Sequence, residues 1–243
     1  MTTRYLIVNA DDFGQSQGVN RGVIEAHESG IVTSASLMTR WPAAAEAAAY
    51  SRTHSALSLG IHVDLGEWAC DGENWRPLYE VADIENEAAV KREVAQQVAA
   101  FRRLAGKEPT HIDSHQHVHL KEPVRTILLN LAASLDVPLR HFSPRVSYCG
   151  DFYGQSAEGF PVPKAIGVDA LEKILTTRPP GITELGCHPG YGDDLTTMYR
   201  DERAQEVAVL CDARIRAMIS ATGIELCSFA DLPPLDRSPA RSA

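Results

Sequence analysis

The sequence lacks a hydrophobic run long enough to cross a membrane, and it has no excess of positive charge. Its first apolar run, residues 5–8, is too short for the core of a signal peptide, and no later run approaches about 18 apolar residues. Lysine and arginine total 23 against 32 aspartates and glutamates, so the net charge is −9 without a basic stripe. We therefore predict a cytoplasmic protein that neither spans a membrane nor binds nucleic acid.

Cysteine is scarce as well, and its arrangement argues against two classes of protein. The five cysteines stand at positions 70, 149, 187, 211 and 227, an odd number without a C-x-x-C spacing. That pattern predicts neither a disulfide framework nor a thiolate zinc site. Cys187 precedes His188, but neighbouring residues on a strand point to opposite faces, which disfavours a Cys/His nucleophile pair.

Short apolar segments alternate with helical ones along the 243 residues. Segments 86–104 and 203–219 carry apolar residues at spacings of three and four, which predicts amphipathic helices. The alternation predicts an α/β fold with a mainly parallel sheet, and about seven strands favour an irregular, incomplete (β/α) barrel. We expect one domain over residues 1–243, with a flexible tail at 235–243. The seven predicted strands are residues 5–8, 33–38, 57–63, 110–114, 138–142, 182–187 and 224–229.

Residues 111–119 hold four of the nine histidines and one carboxylate, all at odd positions. If this segment is extended, all five polar side chains project from one face, while Ile112 and Val118 project from the other. A face with that composition is untypical of a core, and it indicates a metal site.

Polar motifs follow several predicted strands at their carboxyl ends, which is where α/β barrels carry their catalytic residues. We therefore expect their side chains to meet at one edge of the sheet. The motif residues are Asp11, Asp12, His62, Asp64, Asp113, His115 and His188.

One carboxylate and two imidazoles from different strands make an open three-ligand site, and Asp12, His62 and His115 fit that description. Such a set suits zinc, yet it also holds magnesium, manganese or cobalt, so we predict one divalent metal ion without choosing among them. The metal would acidify a water molecule and polarise a carbonyl group.

Two further residues have suitable chemistry for proton transfer. Asp11 is the natural base for the water, and His188 is a candidate proton donor to a leaving nitrogen. Simpler readings stay open, because an Asp pair before a glycine is also typical of a helix cap, and a histidine in a Pro/Gly turn is often structural. Asp113 and His117 are then candidates for orienting the ligands or contacting substrate.

The sequence also resembles a known family, the YdjC/ChbG carbohydrate deacetylases, over most of its length. The resemblance rests on the motifs at residues 6–14, 30–34, 60–62, 109–119 and 187–190. It implies an irregular (β/α) barrel related to polysaccharide deacetylases, and removal of acetyl groups from N-acetylated sugars such as chitooligosaccharides with a divalent metal. By motif, it implies Asp12, His62 and His115 as metal ligands, Asp11 as base and His188 as general acid. A homodimer is also expected from it.

The chain departs from the family pattern at Gln116, where many relatives have a histidine. On an alternating strand Gln116 would face away from His115, so we expect the metal site to survive. Aromatic and polar side chains in segments 67–79 and 148–163 suit a sugar. The substrate-binding or ligand-orienting candidates are Asp64, Trp68, Asp113, His117 and Tyr191.

The hypothesis is a metal-dependent hydrolase that removes an acetyl group from an N-acetylated sugar by attack of a metal-activated water. A metal-dependent phosphoester hydrolase is disfavoured, because we find no glycine-rich phosphate loop and no arginine clamp. A catalytically silent sugar-binding or metal-binding barrel is a third possibility, and the retention of both Asp11 and His188 argues against it.

Overall fold

A parallel sheet of seven strands forms the centre of the protein, in a computed structural model that describes residues 3–70 and 74–232. The predicted tail at 235–243 lies outside the described residues. The strands of this sheet are β1 (Arg4–Phe13), β2 (Ser34–Leu37), β3 (Ser58–Val63), β6 (Ile112–Ser114), β7 (Val146–Cys149), β8 (Gly181–Cys187) and β9 (Ile224–Leu226), and the remaining two are β4 (Gly66–Cys70) and β5 (Trp75–Glu80). Along the sheet the order is β6-β3-β2-β1-β8-β7, and β9 pairs with the start of β1.

The sheet is built of parallel pairs but does not close, since β6 and β7 are its two ends within the described residues. Helices follow most strands, as parallel crossovers require. The predicted α/β fold, an irregular and incomplete (β/α) barrel, is confirmed. The helices are α1 (Gln17–Glu28), α2 (Ala44–Thr53), α3 (Glu87–Ala105), α4 (Val124–Leu135), α5 (Val168–Thr176), α6 (Glu202–Leu210) and α7 (Ala213–Thr222).

Strand β1 positions the paired carboxylates of the sequence. It is buried from Leu6 onward, and it pairs with β8 over its first seven residues. Its register with β2 shifts between Ala10 and Phe13, and Asp12 has a positive φ of 63°. A bulge of this kind re-aims side chains, and aspartate tolerates a positive φ better than most residues. The bulge therefore turns Asp11 and Asp12 toward different partners.

Two predicted elements differ from the structure for reasons of local chemistry. The helix predicted over 203–219 is two helices, α6 and α7, because Asp212 caps a new helix by accepting from the backbone N–H of Arg214. The strand predicted over 138–142 is absent apart from one bridge between Leu139 and Ile112, since Arg140 turns into a buried cluster of carboxylates.

Four strands of the structure were not predicted from the sequence or are shorter than predicted. The antiparallel hairpin of β4 and β5 was not predicted, because β5 is largely exposed and carries no apolar alternation. The short strand β7 was also missed. The strand predicted over 224–229 ends at Leu226. Among the described residues no helix has the length and apolar character to cross a membrane.

Candidate active site

A cleft of about 800 Å³ opens at the carboxyl ends of the strands, with the β4–β5 hairpin along one side. It brings together the five residues predicted as catalytic or metal-binding, because β1, β3, β6 and β8 all end at this edge. These five residues are Asp11, Asp12, His62, His115 and His188.

Asp12, His62 and His115 form the floor of the cleft. Asp12 Oδ1 lies 3.2 Å from His62 Nε2 and 3.0 Å from His115 Nδ1, and one ligand atom from each residue lies within 4.8 Å of the others. His115 Nε2 is buried without a hydrogen-bond partner. One carboxylate and two imidazoles are a donor set that fits a divalent metal ion. The unsatisfied His115 Nε2 lies 3.7 Å from Glu67 Oε2.

Buried carboxylates control the protonation of these imidazoles. Burial lowers the pKa of His62, but Asp113, whose Oδ1 lies 2.8 Å from His62 Nδ1, outweighs that effect and the pKa is raised well above its usual value. Burial likewise opposes the charged form of His115, yet Asp12 raises its pKa to about 9. A metal ion must therefore displace protons to bind here.

Asp11 is held by an arginine that sequence analysis missed. Arg140 donates from both terminal nitrogens to the Asp11 carboxylate, at 2.6 and 2.7 Å, and it also pairs with Asp113 and Glu184. Burial raises the pKa of Asp11, but the Arg140 charge prevails and lowers it. Asp11 is thus an ionised carboxylate at neutral pH, as a base must be.

His188 stands beside Asp11 at the end of β8. Its Nε2 lies 3.8 Å from Asp11 Oδ2, and its ring is packed by Tyr153 and Tyr199 at centroid distances of 5.4 and 5.2 Å. Its backbone N–H donates to Glu206 at 2.5 Å. Burial lowers the pKa of His188 to about 4, so the imidazole is neutral at pH 7.

Helix α6 supplies two further site residues that were not predicted. Arg203 donates to Asp12 Oδ2 at 2.6 Å, and Glu206 accepts from His188 and from the Tyr199 hydroxyl. Both residues are fully buried. The sequence did contain a signal for them, because both charged residues lie on the apolar helix face of Val207 and Leu210. A buried charge is costly unless it is paired, so their position indicates buried partners.

Residues 111–119 are not extended throughout, so the condition for a single polar face is not met. Strand β6 ends at Ser114, and the next residues form a 3₁₀ turn in which Gln116 and His117 have positive φ values of 49° and 53°. The five odd-numbered side chains therefore separate: His111 stacks on Phe229, Asp113 lies behind His62, His115 joins the cleft floor, and His117 and His119 approach His141.

Gln116 also differs from expectation, because the strand geometry that would turn it away from His115 is absent. Its side chain accepts from the backbone N–H of Trp68 at 2.9 Å and donates to the Trp68 carbonyl at 2.7 Å. Gln116 and His115 both line the cleft. Gln116 therefore connects the hairpin to the turn that carries His115.

The substrate-contact candidates lie at three kinds of position relative to the cleft. Trp68 and His117 line the cleft. Asp113 lies behind the lining and orients His62, and Asp64 lies behind it too, accepting from Trp41 at 3.0 Å and Tyr79 at 3.1 Å. Tyr191 does not fit the predicted substrate contact: its hydroxyl donates to Glu25 outside the cleft lining, because the chain turns away after Pro189.

The incomplete parallel barrel has the fold of the polysaccharide deacetylase and carbohydrate esterase barrels. A solved family 4 carbohydrate esterase from Streptomyces lividans superposes with a TM-score of 0.53 at 13% identity, covering 94% of this chain and 93% of the esterase. At that identity the likeness concerns the fold alone.

Within that class the chain belongs to the YdjC-like protein family, whose model matches residues 5–221. It is 34% identical to a carbohydrate deacetylase of Geobacillus stearothermophilus, over 93% of this chain and 97% of the relative. It is 33% identical to a chitooligosaccharide deacetylase of Salmonella paratyphi C, over 94% and 99%. A solved Enterococcus faecalis V583 protein, provisionally described as a cellobiose-phosphate cleavage protein, superposes with a TM-score of 0.76 at 26% identity, over 94% and 98%. The family resemblance is confirmed.

Proposed function

We propose that the protein is a metal-dependent hydrolase that removes the acetyl group of an N-acetylated sugar. The observation that carries the proposal is the convergence of Asp12, His62 and His115 in one cleft with the carboxylate of Asp11 and the imidazole of His188. Relatives named as carbohydrate and chitooligosaccharide deacetylases support an amino sugar as the substrate class.

Asp12, His62 and His115 would hold one divalent ion, with zinc, magnesium, manganese and cobalt as candidates. Such an ion acidifies water and polarises a carbonyl group. Asp113 fixes the His62 ring by the contact at Nδ1, which leaves Nε2 for the ion. Arg203 holds the outer oxygen of Asp12, so that Oδ1 faces both imidazoles.

Asp11 accepts the proton of the attacking water, since its carboxylate is ionised and borders the cleft. His188 protonates the nitrogen that leaves as the amine. Because His188 is neutral near pH 7, it must gain this proton during the reaction, and Asp11 Oδ2 stands 3.8 Å away as a donor. Asp11 thus serves both as base and as the proton's route to His188.

A phosphoester is a weaker candidate substrate than an acetamide. The two arginines nearest the metal ligands, Arg140 and Arg203, are each engaged by buried carboxylates and do not offer a free clamp. A silent binding barrel would have no use for the paired Asp11 and His188.

The experiment is acetate release from a panel of N-acetylated mono- and oligosaccharides, with the protein as purified, after chelation, and after return of single divalent metals. We expect release that chelation abolishes and at least one metal restores. A phosphatase assay on sugar phosphates runs in parallel. No acetate from any sugar, with one metal equivalent bound, contradicts the proposal.

A cytoplasmic location and a homodimer stay predictions, drawn from the sequence and from the family resemblance. Light scattering on the eluting protein tests the second, and a mass of one chain of 26.5 kDa would contradict it.

A further inference from the structure

A second group of imidazoles lies beside the cleft, separate from Asp12, His62 and His115, and one member of the group, His117, lines the cleft. One ring nitrogen from each of His117, His119 and His141 lies within 4.8 Å of the others. We propose that these three histidines form a second metal site, for a divalent transition ion of the zinc class.

Two bends in the backbone bring the three rings together. After β6, the positive φ values of Gln116 and His117 reverse the chain, so that His117 and His119 lie side by side with ring centroids 5.6 Å apart. His141, with a φ of 67°, projects into the same space from the segment after Leu139. Its ring centroid lies 5.1 Å from that of His117 and 5.5 Å from that of His119.

The spacing of two nitrogens suits an ion held between them. His141 Nε2 lies 3.4 Å from His117 Nδ1. Two imidazoles on one tetrahedral zinc, with Zn–N bonds of about 2.0–2.1 Å, place their nitrogens roughly 3.4 Å apart. A good hydrogen bond between rings is shorter, at about 2.9–3.0 Å. The observed distance therefore favours shared coordination over a direct bond.

His119 gives an independent indication of a missing partner. Its side chain is fully buried, and its Nε2 has no hydrogen-bond partner, whereas its Nδ1 lies 2.6 Å from Ser114 Oγ. A buried ring nitrogen without a partner is costly, and a metal ion would satisfy it. Ser114 orients the ring as oxygen partners of metal-bound imidazoles do.

The ligand atoms of the group favour a zinc-class ion over magnesium. An all-nitrogen ligand set binds transition ions, whereas magnesium takes oxygen ligands. Burial and the Arg140 charge lower the pKa of all three rings, and the carboxylates of Asp11 and Asp113 oppose this effect at His117 and His119 respectively. Three histidines leave a fourth position for water or for a group from the cleft, which His117 borders.

The test is calorimetric titration of chelator-stripped protein with zinc chloride, and separately with magnesium chloride. We expect two zinc equivalents in the wild type, one in His141→Asn and one in His115→Ala. Asparagine tolerates the positive φ at position 141, and the same substitution at an exposed histidine, His54→Asn, is the matched control that retains two. Magnesium binding should not change in His141→Asn.

A single zinc equivalent in the wild type overturns the proposal, as does a second equivalent that survives in His141→Asn. Cobalt added to His115→Ala is a second readout, since three imidazoles and a water should give the intense visible band of tetrahedral cobalt. Absence of that band in protein with a normal circular dichroism spectrum also overturns it. None of these measurements depends on acetate release, so the proposed deacetylase activity can fail or succeed separately.

Discussion

The two histidine groups lie on either side of one short strand, β6, and adjacent residues of that strand hold them. Asp113 contacts His62 Nδ1 at 2.8 Å, and Ser114 contacts His119 Nδ1 at 2.6 Å. The side chains of neighbouring strand residues point to opposite faces, so one strand serves both groups. The first group is oriented by a carboxylate and the second by a hydroxyl.

This difference in partner changes the protonation of the rings. Asp113 and Asp12 raise the pKa of His62 well above its usual value in spite of burial. Burial lowers the pKa of His119 to about 4, with Asp113 opposing that effect only in part. In the first group a metal ion would therefore compete with protons for the imidazoles, and Asp12 adds a carboxylate ligand, whereas the second group offers neutral nitrogens. The two groups therefore differ because a carboxylate contacts the imidazoles of the first group, whereas a hydroxyl contacts His119 of the second.

Removing a candidate ligand of the first group should have the largest effect on activity, and it tests whether the first group, rather than the second, is the catalytic one. In His115→Ala we expect the first group to lose its metal and acetate release to fall by about 10³-fold or more, because the ion supplies several kcal/mol to the transition state. Metal analysis and the acetate assay measure both quantities, with His54→Ala as control. Full activity in His115→Ala would show that the first group is not the catalytic one.

Asp11→Asn should separate proton transfer from metal binding within the same cleft. We expect turnover to fall by about 10²- to 10⁴-fold while the metal content stays at the wild-type level, since Asp11 is a base and not a ligand. The exposed Asp193→Asn is the matched control. Loss of metal together with activity would instead make Asp11 a ligand.

Asp113→Asn tests the carboxylate that distinguishes the first group. The amide keeps the shape of the side chain but removes its charge, so we expect metal affinity at the first group to fall about 10- to 100-fold. Titration with magnesium, which does not suit the second group, isolates this effect. An unchanged magnesium affinity would mean that Asp113 serves Arg140 alone.

Ser114→Ala is the smallest change and concerns the second group. Without the hydroxyl the His119 ring loses its orienting contact, and we expect the second zinc equivalent to bind about 10-fold more weakly. Competition with a chelator of known affinity measures the shift. If the zinc affinity of the first group falls as much as that of the second, the substitution has loosened β6 as a whole.

The sequence predicted which residues meet in the cleft better than it predicted the residues that bind them. Asp12, His62 and His115 stand at the ends of apolar strands, and local patterns show strand ends. Arg140 and Arg203 lie 129 and 191 residues from the carboxylates that they bind, and both sit in segments whose local pattern indicated an ordinary strand or helix. The positive φ of His117 also has no signal in the residue pattern, and it divides the histidine-rich segment between two groups.

By itself the sequence determined the alternation of strands and helices, the parallel barrel and the polar residues at its carboxyl edge, because apolar spacing and turn chemistry act over a few residues. The tertiary structure alone decided which nitrogen and oxygen atoms meet. These contacts depend on long-range packing, on the bulge in β1 and on the turn after β6. They also set the protonation of each histidine group.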